Sequence, residues 1–166
     1  MRKYLVVAAD GSRARIFDLV PAEYPELESS PNLVEIEDLI NPEMEEKGRD
    51  IWSEEKSGRG KAPGGGPAHG YDDHRGRHLD EIGQRFARSV AGEIAGRIRE
   101  RGSDTLVLAA EHRFLGYLRE ALQSSLDDSV EVTDTDLNIS KLSPIELHEH
   151  LARQQLIPER RPPQGR

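Results

Sequence analysis

Two uninterrupted apolar runs, Tyr4-Leu5-Val6-Val7-Ala8-Ala9 and Thr105-Leu106-Val107-Leu108-Ala109-Ala110, constrain this chain more than anything else in it. A strand with one wet face alternates apolar and polar residues, so a run with no polar interruption reads as a strand covered on both faces. Two such runs separated by a long amphipathic segment predict a parallel pair at the centre of a sheet, with helices on both sides.

The remaining elements fall into place around them. Asp10-Gly11-Ser12 supplies a turn and Arg13–Leu19 resumes as a strand, which together predict an antiparallel hairpin. Leu33–Asp38 alternates as an edge strand should. From Leu79 to Arg101 the apolar residues Ile82, Phe86, Val90, Ile94 and Ile98 recur every four positions, with acids in the first turn, arginines in the last and Gly102 as a stop. Phe114–Ser124 predicts the next helix and Val130–Asp134 the fifth strand. Ser143-Pro144-Ile145-Glu146 then opens a last helix, over Pro144–Gln154, with capping-box spacing and proline at its first position.

Three strands followed by α-β-α-β-α is the element order of the ribonuclease H-like motif. That motif is a mixed five-stranded sheet of order 3-2-1-4-5 with strand 2 antiparallel, and right-handed crossovers permit it. The 166 residues suit one α/β domain over residues 1–157, with a long Gly-rich insertion at 41–77 and a flexible tail at 158–166. The insertion and tail account for a hydrophobic content of only 35%. The absence of cysteine excludes a disulfide scaffold and thiol catalysis. The chain enters a strand at once and has no apolar run of spanning length, which points to the cytoplasm with no membrane contact.

A net charge of −8 argues against duplex binding by the whole surface but leaves room for a local basic patch. Lys56, Arg59, Lys61, Arg75 and Arg77 concentrate positive charge around Gly64-Gly65-Gly66 and His69, with only Asp72 and Asp73 as acids between Lys56 and Arg77. Such a stretch suits RNA phosphates or another polyanion. The same composition also describes a solvated insertion with no ligand, and both readings stand. His69, His74 and His78 with Asp72 and Asp73 match no standard metal spacing, so no metal and no cofactor is expected. No Gly-x-Ser-x-Gly elbow occurs, and no catalytic residue is assigned.

In the expected sheet the carboxyl ends of strands one and four are neighbours, where open α/β sheets bind ligands. Asp10, Ser12, Arg13, Glu111, His112 and Arg113 would line that crevice, with Arg113 and the amides opening the Phe114 helix suited to a phosphate or carboxylate. Asp10 with Glu111 would alternatively hold a divalent ion, although no third inward carboxylate is evident. The simpler reading of these two, and the favoured one, is a turn residue and a helix cap.

Several segments together resemble the bacterial proteins required for attachment to host cells. They are Val7–Phe17, Leu33–Leu39, Gln84–Ala87, Leu106–Arg119, Asp136-Leu137-Asn138 and Leu142-Ser143-Pro144. The resemblance implies a fold similar to the middle domain of archaeal and eukaryotic peptide-chain release factors and of Pelota, hence a translation-related role with the ribosome or structured RNA as partner. Release factors use a Gly-Gly-Gln loop to hydrolyse peptidyl-tRNA. Here Gly64-Gly65-Gly66 is followed by Pro67-Ala68-His69 and no glutamine, so the expectation is a non-enzymatic, RNA-contacting domain. Two alternatives stay open: a protein-interaction module linked indirectly to attachment, and a divergent peptidyl-tRNA hydrolase or metal-dependent nuclease.

Overall fold

The computed structural model describes residues 2–44 and 68–165. Its elements are β1 (Tyr4–Ala9), β2 (Arg13–Val20), β3 (Asn32–Ile40), α1 (Ala68–Arg101), β4 (Thr105–Ala110), α2 (His112–Gln123), β5 (Glu131–Asp136) and α3 (Pro144–Arg153). The strands form one open mixed sheet of order β3-β2-β1-β4-β5. β2 runs antiparallel to β1 and β3, while β1, β4 and β5 are parallel, with Val6 opposite Val107. The two apolar runs are therefore adjacent, central and parallel, and β3 is an edge, as the sequence predicts.

Alternation along β1 and β4 divides their side chains between two cores. Leu5, Val7, Leu106 and Leu108 pack under α1 and α2, whereas Val6, Ala8, Val107 and Ala109 pack under α3. Helices thus cover both faces, which is why both strands are apolar from Leu5 to Ala9 and from Leu106 to Ala110. On α1, Phe86, Val90, Ile94 and Ile98 face the sheet, and the Phe86 ring lies 5.6 Å from that of Phe114 on α2. Gly83 permits this close approach of the two helices, since a Cβ there would sit 3.0 Å from the Tyr117 ring.

β3 departs from simple alternation. A register shift opposite Ile16 and Phe17 leaves Ile36 as an extra residue. Leu33 and Glu35 then face α3, where Glu35 meets Arg15, while Ile36 and Leu39 pack towards α1 and Glu37 pairs with Arg97 of α1 at 2.9 Å. One bulge lets a single edge strand serve both cores.

Two expectations are corrected. α1 begins at Ala68 rather than Leu79, so Arg75 and Arg77 stand on a helix rather than in the insertion. The first turns carry no apolar stripe, so periodicity could not find them. Once the buried part of a helix is formed, each added residue costs little and gains one hydrogen bond. At 34 residues α1 is about 51 Å long, against about 20 Å for a six-residue strand, so its N-terminal turns overshoot the sheet. No helix among the described residues is long and apolar enough to cross a membrane.

The second correction is at the C-terminus. The segment from Pro158 to Gly165, expected as a flexible tail, is held through its backbone at two points: Arg161 exchanges both backbone hydrogen bonds with Ser30, and Gln164 N donates to Pro25 O at 3.0 Å. Buried Ile157 and the Pro158 carbonyl, bonded to His148 Nε2 at 2.8 Å, hold the start of this segment. A search for apolar side chains overlooks a segment anchored by its amides.

His148 is buried, and its Nδ1 has no partner among the described residues. Burial, helped by Arg160, pushes its pKa below the ordinary value of 6.5, against the opposing pull of the Pro158 carbonyl and Glu149. As pH falls below about 6.5 the unfolded chain binds this proton and the folded chain does not, so stability is full above that pH and declines until the folded ring also titrates. Urea unfolding should give a lower midpoint at pH 5.5 than at pH 7.5, and His148→Gln should remove that part of the difference. An unchanged His148→Gln pH profile would show that another group is responsible.

Candidate functional site

β1 ends at Ala9, and the chain reverses through Asp10-Gly11-Ser12 into β2. One Asp10 carboxylate oxygen accepts the amides of Ser12 and Arg13 at 2.8 and 2.9 Å, the short local bonding that makes aspartate a turn residue. The other accepts the hydroxyl of buried Ser140 at 3.0 Å. Buried Asn41, just beyond β3, ties in the far side of the turn: its side-chain amide donates to Gly11 O at 3.0 Å and its backbone amide to Ser12 O at 2.9 Å. The hairpin tip is thereby fixed to both neighbouring connections.

Arg13 makes a forked pair with Asp38 at 2.7 and 2.6 Å, and these bonds hold the Asp38 carboxyl below the usual carboxylate range. Arg15 is buried. It donates to Glu35 at 2.6 Å and to the carbonyls of Ser140 and Leu142 at 2.9 and 2.6 Å, with its guanidinium 5.0 Å from the Phe17 ring. The connection from β5 to α3 is thus strapped to β2.

On the parallel side, Glu111 N donates to Ala9 O at 3.2 Å, joining the ends of β1 and β4. The Glu111 carboxylate caps α2, accepting the amides of Arg113 and Phe114 at 2.9 and 3.1 Å. Those are the amides that the sequence offered to an external phosphate. A carboxylate already held next to them needs no further ordering, so it satisfies both the free donors and the helix dipole. Asp10 and Glu111 are the turn residue and the cap of the simpler reading.

The remaining crevice residues are also engaged. His112 Nδ1 lies 2.7 Å from Asp136 Oδ2, and Arg113 is 3.4 Å from Asp80. Tyr117 donates its hydroxyl to the same Asp80 oxygen at 2.6 Å. Desolvation first, and the carboxylate partner second, push the Tyr117 phenol up to about 12, so it remains a donor at neutral pH.

Of the expected site residues, Asp10, Ser12, Arg13, Glu111, His112 and Arg113 all lie at this carboxyl edge. Lys56, Arg59, Lys61, Gly64, Gly65 and Gly66 lie outside the described residues, and so does most of the expected insertion. His69 is in the first turn of α1, and Arg75 and Arg77 are exposed farther along it, beside exposed His74 and His78. Among the described residues, no group of three or more His, Asp or Glu side chains is arranged to hold a metal ion. Sequence reasoning missed Asn41, Asp80, Tyr117 and Ser140. Only Asn41 carried a signal, as the polar residue before Pro42 at a strand end.

No curated protein matches this chain. A family model described as "Protein required for attachment to host cells" matches residues 5–151 and so spans the sheet from Leu5 onward, the hairpin tip and most of α3. The chain belongs to the family of proteins required for attachment to host cells.

Proposed function

We propose that this chain is a non-catalytic, release-factor-like member of its family that works in the cytoplasm and contacts the ribosome or structured RNA through the basic stretch from Lys56 to Arg77. On this reading its part in host attachment is indirect. The observation that carries it is how the base of that stretch is held. Asn41 is locked to the hairpin tip, Glu43 accepts two bonds from Arg85 of α1 at 3.2 and 2.9 Å, and the chain returns as the overshooting end of α1 bearing Arg75 and Arg77. Arg75 and Arg77 therefore stand on a helix whose later turns are packed against the sheet of an acidic protein. Asp10 and Glu111 of the crevice support a scaffolding role, since one bonds the hairpin turn and Ser140 and the other caps α2.

Co-sedimentation with ribosomes at graded salt tests this. Binding should weaken steeply as salt rises, because each neutralised phosphate releases condensed counterion. Changing Lys56, Arg59, Lys61, Arg75 and Arg77 to Ser should reduce the slope of log affinity against log salt by about 3.5 if each meets one single-stranded phosphate, with thermal stability unchanged. Peptidyl-tRNA cleavage should be absent in both proteins. An unchanged slope in the five-Ser variant would overturn the reading.

One observation favours a protein partner instead. Tyr24 and Leu27 in the β2–β3 connection are 50% and 72% exposed, beside exposed Val20. Binding insensitive to salt and lost on Leu27→Asp would favour that second reading.

A further inference from the structure

At the opposite end of the sheet from Asp10 lies a cleft of about 850 Å³, within the size range of small-ligand sites. Four parts of the chain wall it: the start of β1, the end of β2 with the start of β3, the last turn of α1, and the C-terminal segment. The last of these is pinned by the Arg161–Ser30 backbone pair and the His148–Pro158 bond, so that wall is part of the fold, and the cleft is open on another side. Tyr4, Leu19, Val20, Pro21, Pro31 and Pro158 give it an apolar lining.

Its charges do not balance. Arg2, Lys3, Arg101 and Arg161 stand against Asp18 and Glu159. Arg101 is paired with Asp18, and Arg2 with Glu131 outside the cleft. Among the lining residues that leaves Lys3 and Arg161 against Glu159, a surplus of one positive charge beside an apolar floor, in a chain whose net charge is −8.

We propose that this cleft binds a small amphipathic monoanion, an apolar chain or ring bearing a single carboxylate. The apolar part covers Leu19, Val20 and the three prolines, and the carboxylate sits between Lys3 and Arg161. Hydrophobic burial supplies affinity, and the uncompensated charge selects the head group. The cleft lies at the last turn of α1, at the other end of that helix from Arg75 and Arg77, so its test does not depend on RNA binding.

Isothermal titration of the full chain with sodium decanoate, kept below its micelle-forming concentration, tests this. The expected result is saturable binding at one site per chain, at least tenfold weaker in Lys3→Glu/Arg161→Glu. Uncharged octyl glucoside should bind more weakly than decanoate and discriminate little between the two proteins. Both substitutions act on exposed side chains and leave the Arg161 backbone pair in place; if the double variant melts early, Lys3→Gln/Arg161→Gln replaces it, with the same direction expected. Vesicles of phosphatidylglycerol separate the two sources of an anionic amphiphile. Absence of saturable decanoate binding, equal affinity in the charge variants, or binding to vesicles but not to monomeric decanoate would each overturn the proposal.

Discussion

Phe86→Ala should leave the protein unfolded or nearly so at room temperature. Phe86 is 7% exposed, faces the sheet from the middle of α1 and stacks against Phe114 at the junction of three elements. Truncating a buried phenylalanine typically costs about 3–5 kcal/mol through lost burial and the cavity left behind, and the aromatic pair adds about 0.5–1.5 kcal/mol. A domain has only about 5–15 kcal/mol in total. Chemical denaturation should therefore show a lost or severely shortened folded baseline. A variant within about 1 kcal/mol of wild type would mean that the surroundings collapse into the space and that the α1 face is not the main core.

Arg15→Ala is expected to cost about 3 kcal/mol, through a different mechanism. The guanidinium satisfies the carbonyls of Ser140 and Leu142 as well as Glu35, so its removal strands a buried acceptor and a partly buried carboxylate at once. Arg15→Met separates the contributions, since methionine restores the apolar volume but caps no carbonyl. It should recover part of the loss and remain clearly below wild type in denaturant midpoint. Full recovery with Met would show that Arg15 acts by packing over Phe17 alone. Because Ser140 also bonds Asp10, the alanine variant should loosen the hairpin tip, visible as faster amide exchange at Ser12 and Arg13.

Elements that bury apolar surface with a regular period were legible in the sequence. β1 and β4 announced themselves by continuous apolar runs, α3 by Ser143, Pro144 and Glu146. Ser143 Oγ accepts the Glu146 amide at 3.3 Å as the spacing implies, while the Glu146 carboxylate accepts the Ser143 hydroxyl at 2.9 Å rather than its amide. What escaped was held by backbone or by single polar contacts. The first turns of α1 have no apolar stripe, and the C-terminal segment is anchored by amides. The bulge at Ile36 moved Glu37 and Leu39 to the face that strict alternation denies them. At the carboxyl edge the residue types were readable but their partners were not. Asp10 meets Ser140 and Tyr117 meets Asp80 only because distant elements converge, and no local spacing encodes those distances.

The bulge in β3 has a bearing on how the molecule behaves in a crowd. An open sheet exposes two rows of unpaired backbone groups, each a template for a strand from another molecule. Here one edge is kinked at Ile36 and carries Glu35, Glu37 and Asp38, and the other, β5, carries Glu131, Asp134 and Asp136. The kink breaks the flat row of donors and acceptors on one edge. The acids on both edges hold cations beside them, among them Arg13 on Asp38, Arg97 on Glu37, Arg2 on Glu131 and Arg119 on Asp134, so an incoming strand would have to cover charged pairs. The same strand that serves both cores thus also guards the sheet against growing sideways into aggregates.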